Sequence, residues 1–392
     1  MSEYQKLKEI VYGKLIDKTL DADYAELSEI LFGEGNCFNS SEVRKRLYGM
    51  RTMIEAIERD AINEVNNNEE LVKEIEEKTY KLQKERVKLA DSKREINKKI
   101  REAARREVIT EEVIEAIDNI SKSKPLPATD NIVIRKGDNA AIIMLSDWHY
   151  GLVVENYWNR YNVDILKNRV SSIINQAKAH IESFSVNKLY VVLNGDFING
   201  NIHTTLRIMS EMNVIDQTIG VAELISNTIH ELSKLVEEVE VHSSLGNHSR
   251  ITANIKESLT SENLEKLIYR FIKERLKFHQ NVKCLDNQYD DTMVTFNVFN
   301  ERIFASHGDK DHLNTVVNNM NKLLDTNPTL VLLGHIHHFS SRDFGSATTI
   351  TGGSLIGMDD FCVNKRIFGK PYQNMLIVNK TLGKIAVLDL KV

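Results

Sequence analysis

Five short apolar runs in the second part of the chain each break off into a cluster of residue types that bind metals, and this pattern restricts the fold more than any other feature. AAIIMLS runs into Asp147-Trp148-His149, KLYVVLN into Gly195-Asp196, VEVHSSL into Gly246-Asn247-His248, RIFAS into His307-Gly308-Asp309, and TLVLLG into His335-Ile336-His337. Near-continuous apolar runs of this length read as strands of largely buried sheets. Between them, residues 163–184, 212–237 and 261–277 carry apolar side chains at helical spacing. Strand-helix alternation predicts an α/β domain, and α/β folds place their sites where strand ends converge. The last segments, near 340–351, 374–379 and 384–389, read as antiparallel strands with no helices between them.

The texture before this domain is different. Only four prolines occur in 392 residues, and two of them, Pro125 and Pro127, lie in the polar stretch SKSKPLPATD. That stretch predicts a linker at 123–130, with the α/β domain at 131–392. Residues 69–107 contain neither proline nor glycine, and Ile75, Leu82, Leu89, Ile96 and Ala103 recur every seven residues. A long charged helix or coiled coil within 63–122 follows. Its companion line, Val72, Thr79, Arg86, Lys93 and Ile100, is polar in the middle, so the apolar seam is narrow. A homo-oligomer through this helix, an intramolecular hairpin and a one-sided docking helix all remain open. Residues 1–62 read as a small helical unit: YAELSEILFG, a turn at Glu34-Gly35-Asn36, then SSEVRKRLYGM with Ser40 or Ser41 as N-cap. A helix carrying Arg44, Lys45 and Arg46 after a glycine turn has the outline of a helix-turn-helix, which makes these three candidate DNA contacts. A solvated helical hairpin with surface arginines has the same outline.

A hydrophobic content of 42% excludes a disordered chain. The net charge of −5 comes from 51 basic and 56 acidic side chains and conceals a basic stretch between Lys78 and Arg106. It therefore does not exclude a polyanionic substrate. Cys37, Cys284 and Cys362 form no CxxC pair, which removes a disulfide framework and a thiolate zinc site. With no apolar stretch of membrane-spanning or signal-peptide length, the expectation is a soluble cytoplasmic protein without a membrane partner.

Carboxylate and imidazole donors, one amide oxygen and no thiolate suit borderline-hard divalent ions. The blocks DxH, GD, GNH, H and GHxH, in that order over about residues 140–390, resemble the calcineurin-like metallophosphoesterases. The resemblance implies a four-layer α/β/β/α sandwich holding two divalent ions, Mn²⁺ foremost, with Fe²⁺, Zn²⁺ or Mg²⁺ as alternatives. It further implies that Asp147, His149 and His337 hold one ion, that Asn247, His307 and His335 hold the other, and that Asp196 bridges them. His248 would contact the phosphate and help protonate the leaving oxygen, which makes it the catalytic residue.

Two departures stand out. Ser249 occupies a position where the family commonly has Asp or Glu, so the partner that orients His248 is not set by the motif. Phe197-Ile198-Asn199-Gly200 replaces the Asp-Arg-Gly continuation of the protein phosphatases, which leaves the phosphodiesterase and Mre11/SbcD-like nuclease branches. His203, Arg207 and Arg250 are possible substrate contacts, and Trp148 and Tyr150 either stack on a base or pack over the site. The arrangement as a whole is similar to phage and prophage proteins. The leading expectation is a two-metal phosphodiester hydrolase acting on DNA. The alternatives are a hydrolase of a nucleotide or other small phosphoester, and an inactive phosphoesterase that binds DNA or serves as a scaffold.

Overall fold

The structure, a computed structural model, describes all residues except 1, 34–37, 65–68, 123, 130–131, 203, 253 and 367. The chain forms two compact units, Met1–Arg101 and Glu102–Val392.

The first unit contains α1 (Glu3–Leu15), α2 (Tyr24–Phe32), α3 (Ser40–Glu64) and the start of α4 (Glu69–Lys122). Ser2 and Asp23 open α1 and α2 as capping boxes, each accepting from the helix backbone while a Gln or Glu reaches back. The three helices bury Val11, Leu27, Val43, Leu47 and Ile54 against one another. The cap of α3 is neither Ser40 nor Ser41. Both already lie in the helix, and the Asn39 side chain accepts from the Glu42 N–H at 2.9 Å. The helix also continues well beyond SSEVRKRLYGM, to 25 residues. The turn expected at Glu34-Gly35-Asn36 lies outside the described residues. α4 runs unbroken for 54 residues, which overturns the intramolecular hairpin. Ile75, Leu82, Leu89 and Ile96 are exposed along it.

In the second unit, the strands are β1 (Asn139–Leu145), β2 (Val154–Glu155), β3 (Arg160–Tyr161), β4 (Val186–Leu193), β5 (Glu238–Ser243) and β6 (Val282–Cys284), followed by β7 (Val294–Val298), β8 (Glu301–Ser306) and β9 (Leu330–Leu333). The last four are β10 (Ser340–Phe344), β11 (Ala347–Thr351), β12 (Tyr372–Asn379) and β13 (Gly383–Lys391). Helices α5 (Val163–Ser183), α6 (Thr204–Ile208), α7 (Val214–Ser233), α8 (Leu264–Leu276), α9 (Val316–Leu324) and α10 (Asp360–Lys365) connect them. The last of these lies between β11 and β12, in a region where no helix was expected.

One sheet has the order β13-β12-β1-β4-β5-β6 and the other β10-β11-β9-β8-β7. β1, β4, β5 and β6 run parallel, as do β8, β9 and β11. Period-two alternation assigns each face of β1. Ala140, Ile142 and Met144 pack with Tyr190 and Val192 against Ile303, Ala305, Leu330 and Leu332 of the second sheet. Ala141, Ile143 and Leu145 face α5, α7 and α8, a core to which Val113 near the end of α4 also adds. α9 covers the far side of the second sheet through Val316, Val317 and Met320. The result is the α/β/β/α layering. No helix among the described residues is long and apolar enough to cross a membrane.

Candidate metal centre

Because these strands run parallel, their C-terminal ends lie on one edge, and the loops after β1, β4, β5, β8 and β9 deliver the five polar clusters there. Pairing continues past the strands. Asp147 N–H donates to Gly195 O (3.0 Å) and His149 N–H to Asp196 O (3.1 Å), while Gly334 N–H donates to His307 O (2.9 Å). The chain is forced into unusual conformations to aim these side chains: Asp147, His149, Asp196, His335 and His337 all have positive φ, between 45° and 66°. Left-handed backbone in non-glycine residues costs energy and persists only where surrounding bonds enforce it. The loops also touch. A Cβ on Gly246 would lie 2.2 Å from the Asp196 nitrogen, so only glycine permits this approach.

Three sets of donors lie within 4.8 Å of one another: Asp147, His149 and His337; His149, Asp196 and His248; and Asp196, His307 and His335. Asn247 joins the last set, its Oδ1 lying 3.0 Å from His307 Nε2. All seven expected ligand positions are therefore brought together. Asp147 Oδ2 accepts from the His335 N–H at 3.1 Å, while its Oδ1 makes no hydrogen bond and lies 3.2 Å from His337 Nε2. His149 Nε2 is likewise buried without a partner. Buried polar atoms are nearly always satisfied, so two orphaned donor atoms facing one cluster fit a cation. Asp196 Oδ1 accepts from the His248 N–H (2.8 Å), and Oδ2 lies 3.0 Å from His307 Nε2. The His307 Nδ1 pairs with the Asn194 carbonyl at 2.8 Å, which fixes the ring and leaves Nε2 facing the centre.

The electrostatics follow from this crowding. Burial opposes charge on both carboxylates, yet the imidazole of His307 holds Asp196 well below the usual carboxylate range, and that of His337 lowers Asp147. Burial likewise opposes charge on His307, but Asp196 more than offsets it and pushes the imidazole up to about 10. His149 is driven down, first by burial and then by His248.

The partner of His248 is a backbone group. Its Nδ1 lies 2.9 Å from the Asn199 carbonyl, so the ring is oriented without an acidic residue at position 249. Ser249 is buried, and its hydroxyl makes no hydrogen bond. Trp148 and Tyr150 are both buried, so packing is their use; the Trp148 indole donates to Gln373 Oε1 at 3.1 Å. Arg250 lies beside the centre, its Nε donating to the Asn247 carbonyl at 2.9 Å. Arg207 is exposed on α6, and His203 lies outside the described residues. Arg44, Lys45 and Arg46 are all exposed on α3, and the Arg46 guanidinium lies over the Phe38 ring at 4.0 Å.

Sequence reasoning missed three supporting residues. Glu265, in the first turn of α8, is buried and accepts from Phe197 N–H at 2.9 Å and from Gly246 N–H, tying the loop of Asp196 to the loop of Asn247. Burial, and then the negative charge of Asp196, push its carboxyl up to about 7. Gln373 on β12 accepts from Ser146 N–H at 2.9 Å and donates to Gly353 O at 2.7 Å. Ser354 donates to the Asp147 carbonyl at 2.8 Å. An acid in a first helical turn reads as an ordinary N-terminal charge, and nothing local marks the other two.

The calcineurin-like phosphoesterase family pattern matches residues 140–351, more than half the chain, and the chain belongs to this family. Family and donor set together define a metal-dependent phosphoester hydrolase. A second pattern, the YonJ coiled-coil domain, matches residues 78–120. The SPbeta prophage-derived uncharacterized protein YonJ of Bacillus subtilis (strain 168) is 25% identical over 384 residues, covering 94% of this chain and 91% of that protein. Among solved structures, a novel archaeal phosphodiesterase is similar at 11% identity, over 64% of this chain and 99% of that one, with a TM-score of 0.32. Wild-type Vps29 of Entamoeba histolytica complexed with zinc is similar at 10% identity, over 64% and 99% of the two chains, with a TM-score of 0.31.

Proposed function

We propose that this hydrolase is a phosphodiesterase acting on DNA, and that Asp147, His149 and His337 hold one divalent cation while Asn247, His307 and His335 hold a second. Asp196 lies between the two sets and serves both. The observation that carries this reading is the pair of buried atoms without a hydrogen bond, Asp147 Oδ1 and His149 Nε2, inside a cluster assembled from five strand ends. Two divalent cations, Mn²⁺ foremost, would supply Lewis acidity for the phosphoryl oxygens and acidify the attacking water.

The remaining steps belong to the chain's own residues. His248, held through Nδ1 by the Asn199 carbonyl, presents Nε2 at 3.9 Å from Asp196 Oδ2, where it donates a proton to the leaving oxygen. Arg250, oriented by the Asn247 carbonyl, offers its remaining N–H groups to a phosphate oxygen. Exposed Arg44 and Lys45 on α3, and the basic stretch of α4 between Lys78 and Arg106, support a polyanionic substrate and a place among the Mre11/SbcD-like nucleases. A small phosphoester is the second reading, favoured by the Arg46 guanidinium lying over the Phe38 ring, which ties one of the α3 cations to the helical unit's own packing.

The test compares hydrolysis of bis(p-nitrophenyl) phosphate, single-stranded DNA and duplex DNA by the full chain in Mn²⁺. Turnover of the generic diester with no cleavage of either DNA rejects the DNA reading in favour of a small phosphoester. Absence of all three activities leaves the inactive DNA-binding or scaffolding protein.

A further inference from the structure

We propose that the β2–β3 turn and the segment after α10 form an aromatic platform at the rim of the centre that stacks the bases of an unpaired DNA strand. The platform consists of Tyr157, Trp158 and Phe368, which are 92%, 54% and 70% exposed. Singly exposed aromatics need no explanation, but three held to one short segment form a patch of the kind that marks an interaction site. The inference rests on the DNA reading above and names the form of substrate.

The turn holds its aromatics outward by using every polar side chain inward. Asn156 Oδ1 accepts from the N–H groups of Trp158 (3.0 Å) and Asn159 (2.9 Å), closing the turn. Asn156 Nδ2 donates to Met358 O at 3.2 Å and Asn159 Nδ2 to Ile356 O at 2.8 Å. Arg169 Nη1, from α5, donates to Leu355 O (2.6 Å) and Ile356 O (2.8 Å). With both asparagines committed, Tyr157 and Trp158 remain at the tip, edge to face with centroids 5.4 Å apart. Phe368 is held to the same 355–358 segment, because the neighbouring Gly369 N–H donates to Met358 Sδ at 3.1 Å.

That segment belongs to the metal centre. Ser354 donates to the carbonyl of Asp147, Leu355 N–H donates to the same oxygen at 3.3 Å, and the Tyr161 hydroxyl donates to Trp148 O. The platform is therefore fixed to the backbone of the turn that bears Asp147 and His149. Cations stand beside it: Lys370 Nζ is 5.9 Å from the Phe368 ring, and Arg160, 3.8 Å from Glu155, is exposed at the base of the turn. Aromatic faces next to cations match the stacked bases and phosphates of a single strand, and the bases of a duplex already stack on each other. A membrane surface is the competing occupant, and the vesicle titration below separates it from DNA.

Binding can be read without catalysis. The chain has two tryptophans, Trp148 is 1% exposed, and quenchable emission therefore reports Trp158. Oligothymidylate titrated into the full chain in chelator should quench that emission, and Trp158→Phe should lose the signal. By competition, Tyr157→Ala and Phe368→Ala should each weaken binding roughly five- to tenfold, the loss of one stacked base. Both should hydrolyse bis(p-nitrophenyl) phosphate at the wild-type rate. Absence of quenching, tighter binding of duplex than of single strand, or unchanged affinity in both alanine variants overturns the platform. A blue shift with anionic vesicles in place of quenching by DNA assigns the aromatics to a lipid surface and also overturns it. Quenching without DNA cleavage keeps the platform and rejects the nuclease reading; cleavage without quenching does the reverse.

Discussion

In the N-terminal unit the packing rests on a few buried apolar side chains, Val11, Leu27, Val43, Leu47 and Ile54, while Arg44, Lys45 and the charges of α4 between residues 74 and 101 lie in solvent. In the C-terminal unit Asp147, His149, Asp196, His307 and Glu265 are buried beside one another, and five of the proposed ligands sit in left-handed backbone. Solvated charges cost little to keep and tolerate exchange, because water screens them. Buried charges persist only through specific partners, so each loss should be felt in stability, in metal binding or in turnover. The contrast indicates where chemistry is held rigidly and where the chain only presents charge.

The largest effect should come from Asp196→Ala. It removes the carboxylate shared by both donor sets and should reduce diester turnover by about a thousandfold or more while circular dichroism is unchanged. Glu265→Ala tests whether a residue outside the ligand set matters as much to the frame. Leaving the N–H groups of Phe197 and Gly246 unpaired should lower stability by about 3 kcal/mol, read by denaturant unfolding, and weaken metal uptake measured by calorimetry. Unchanged stability would show that the two loops hold themselves. His248→Ala should slow turnover about a hundredfold, with metal affinity retained; loss of metal instead would make His248 a ligand. Smallest of all, Arg44→Ala and Lys45→Ala should leave stability and diester hydrolysis untouched and weaken DNA binding about two- to fivefold, with a shallower salt dependence. A large loss of stability in either would place those side chains in packing and blur the contrast.

The same contrast explains which features could be read from the chain. Apolar runs ending in Asp-X-His, Gly-Asp, Gly-Asn-His and Gly-His-X-His are local patterns, and the seven proposed ligand positions come from the family they resemble. The unbroken α4 was legible from the absence of proline and glycine, since helix interiors exclude the one and disfavour the other. Long-range hydrogen bonds leave no such trace. Glu265 meets Phe197 across 68 positions of sequence, and Gln373 meets Ser146 across 227. The partner of His248 is a main-chain carbonyl, which any residue at position 199 would supply, so Ser249 signalled that the orientation is set elsewhere without saying where. Asn39 displaced both expected serines as the cap of α3 because that helix starts one residue earlier than the cap assignment required for Ser40. The outward aim of Tyr157 and Trp158 is equally invisible without the pairing of Asn156 and Asn159 to the 355–358 segment.

The most direct test is the initial rate of bis(p-nitrophenyl) phosphate hydrolysis by the full chain as Mn²⁺ is added to metal-free protein, beside the same titration of Asp196→Ala. The rate should rise with the cation, disappear with a chelator and be absent in the variant. Hydrolysis that ignores both the cation and the chelator, or a variant as active as the parent, would contradict a metal-dependent centre built on these strand ends.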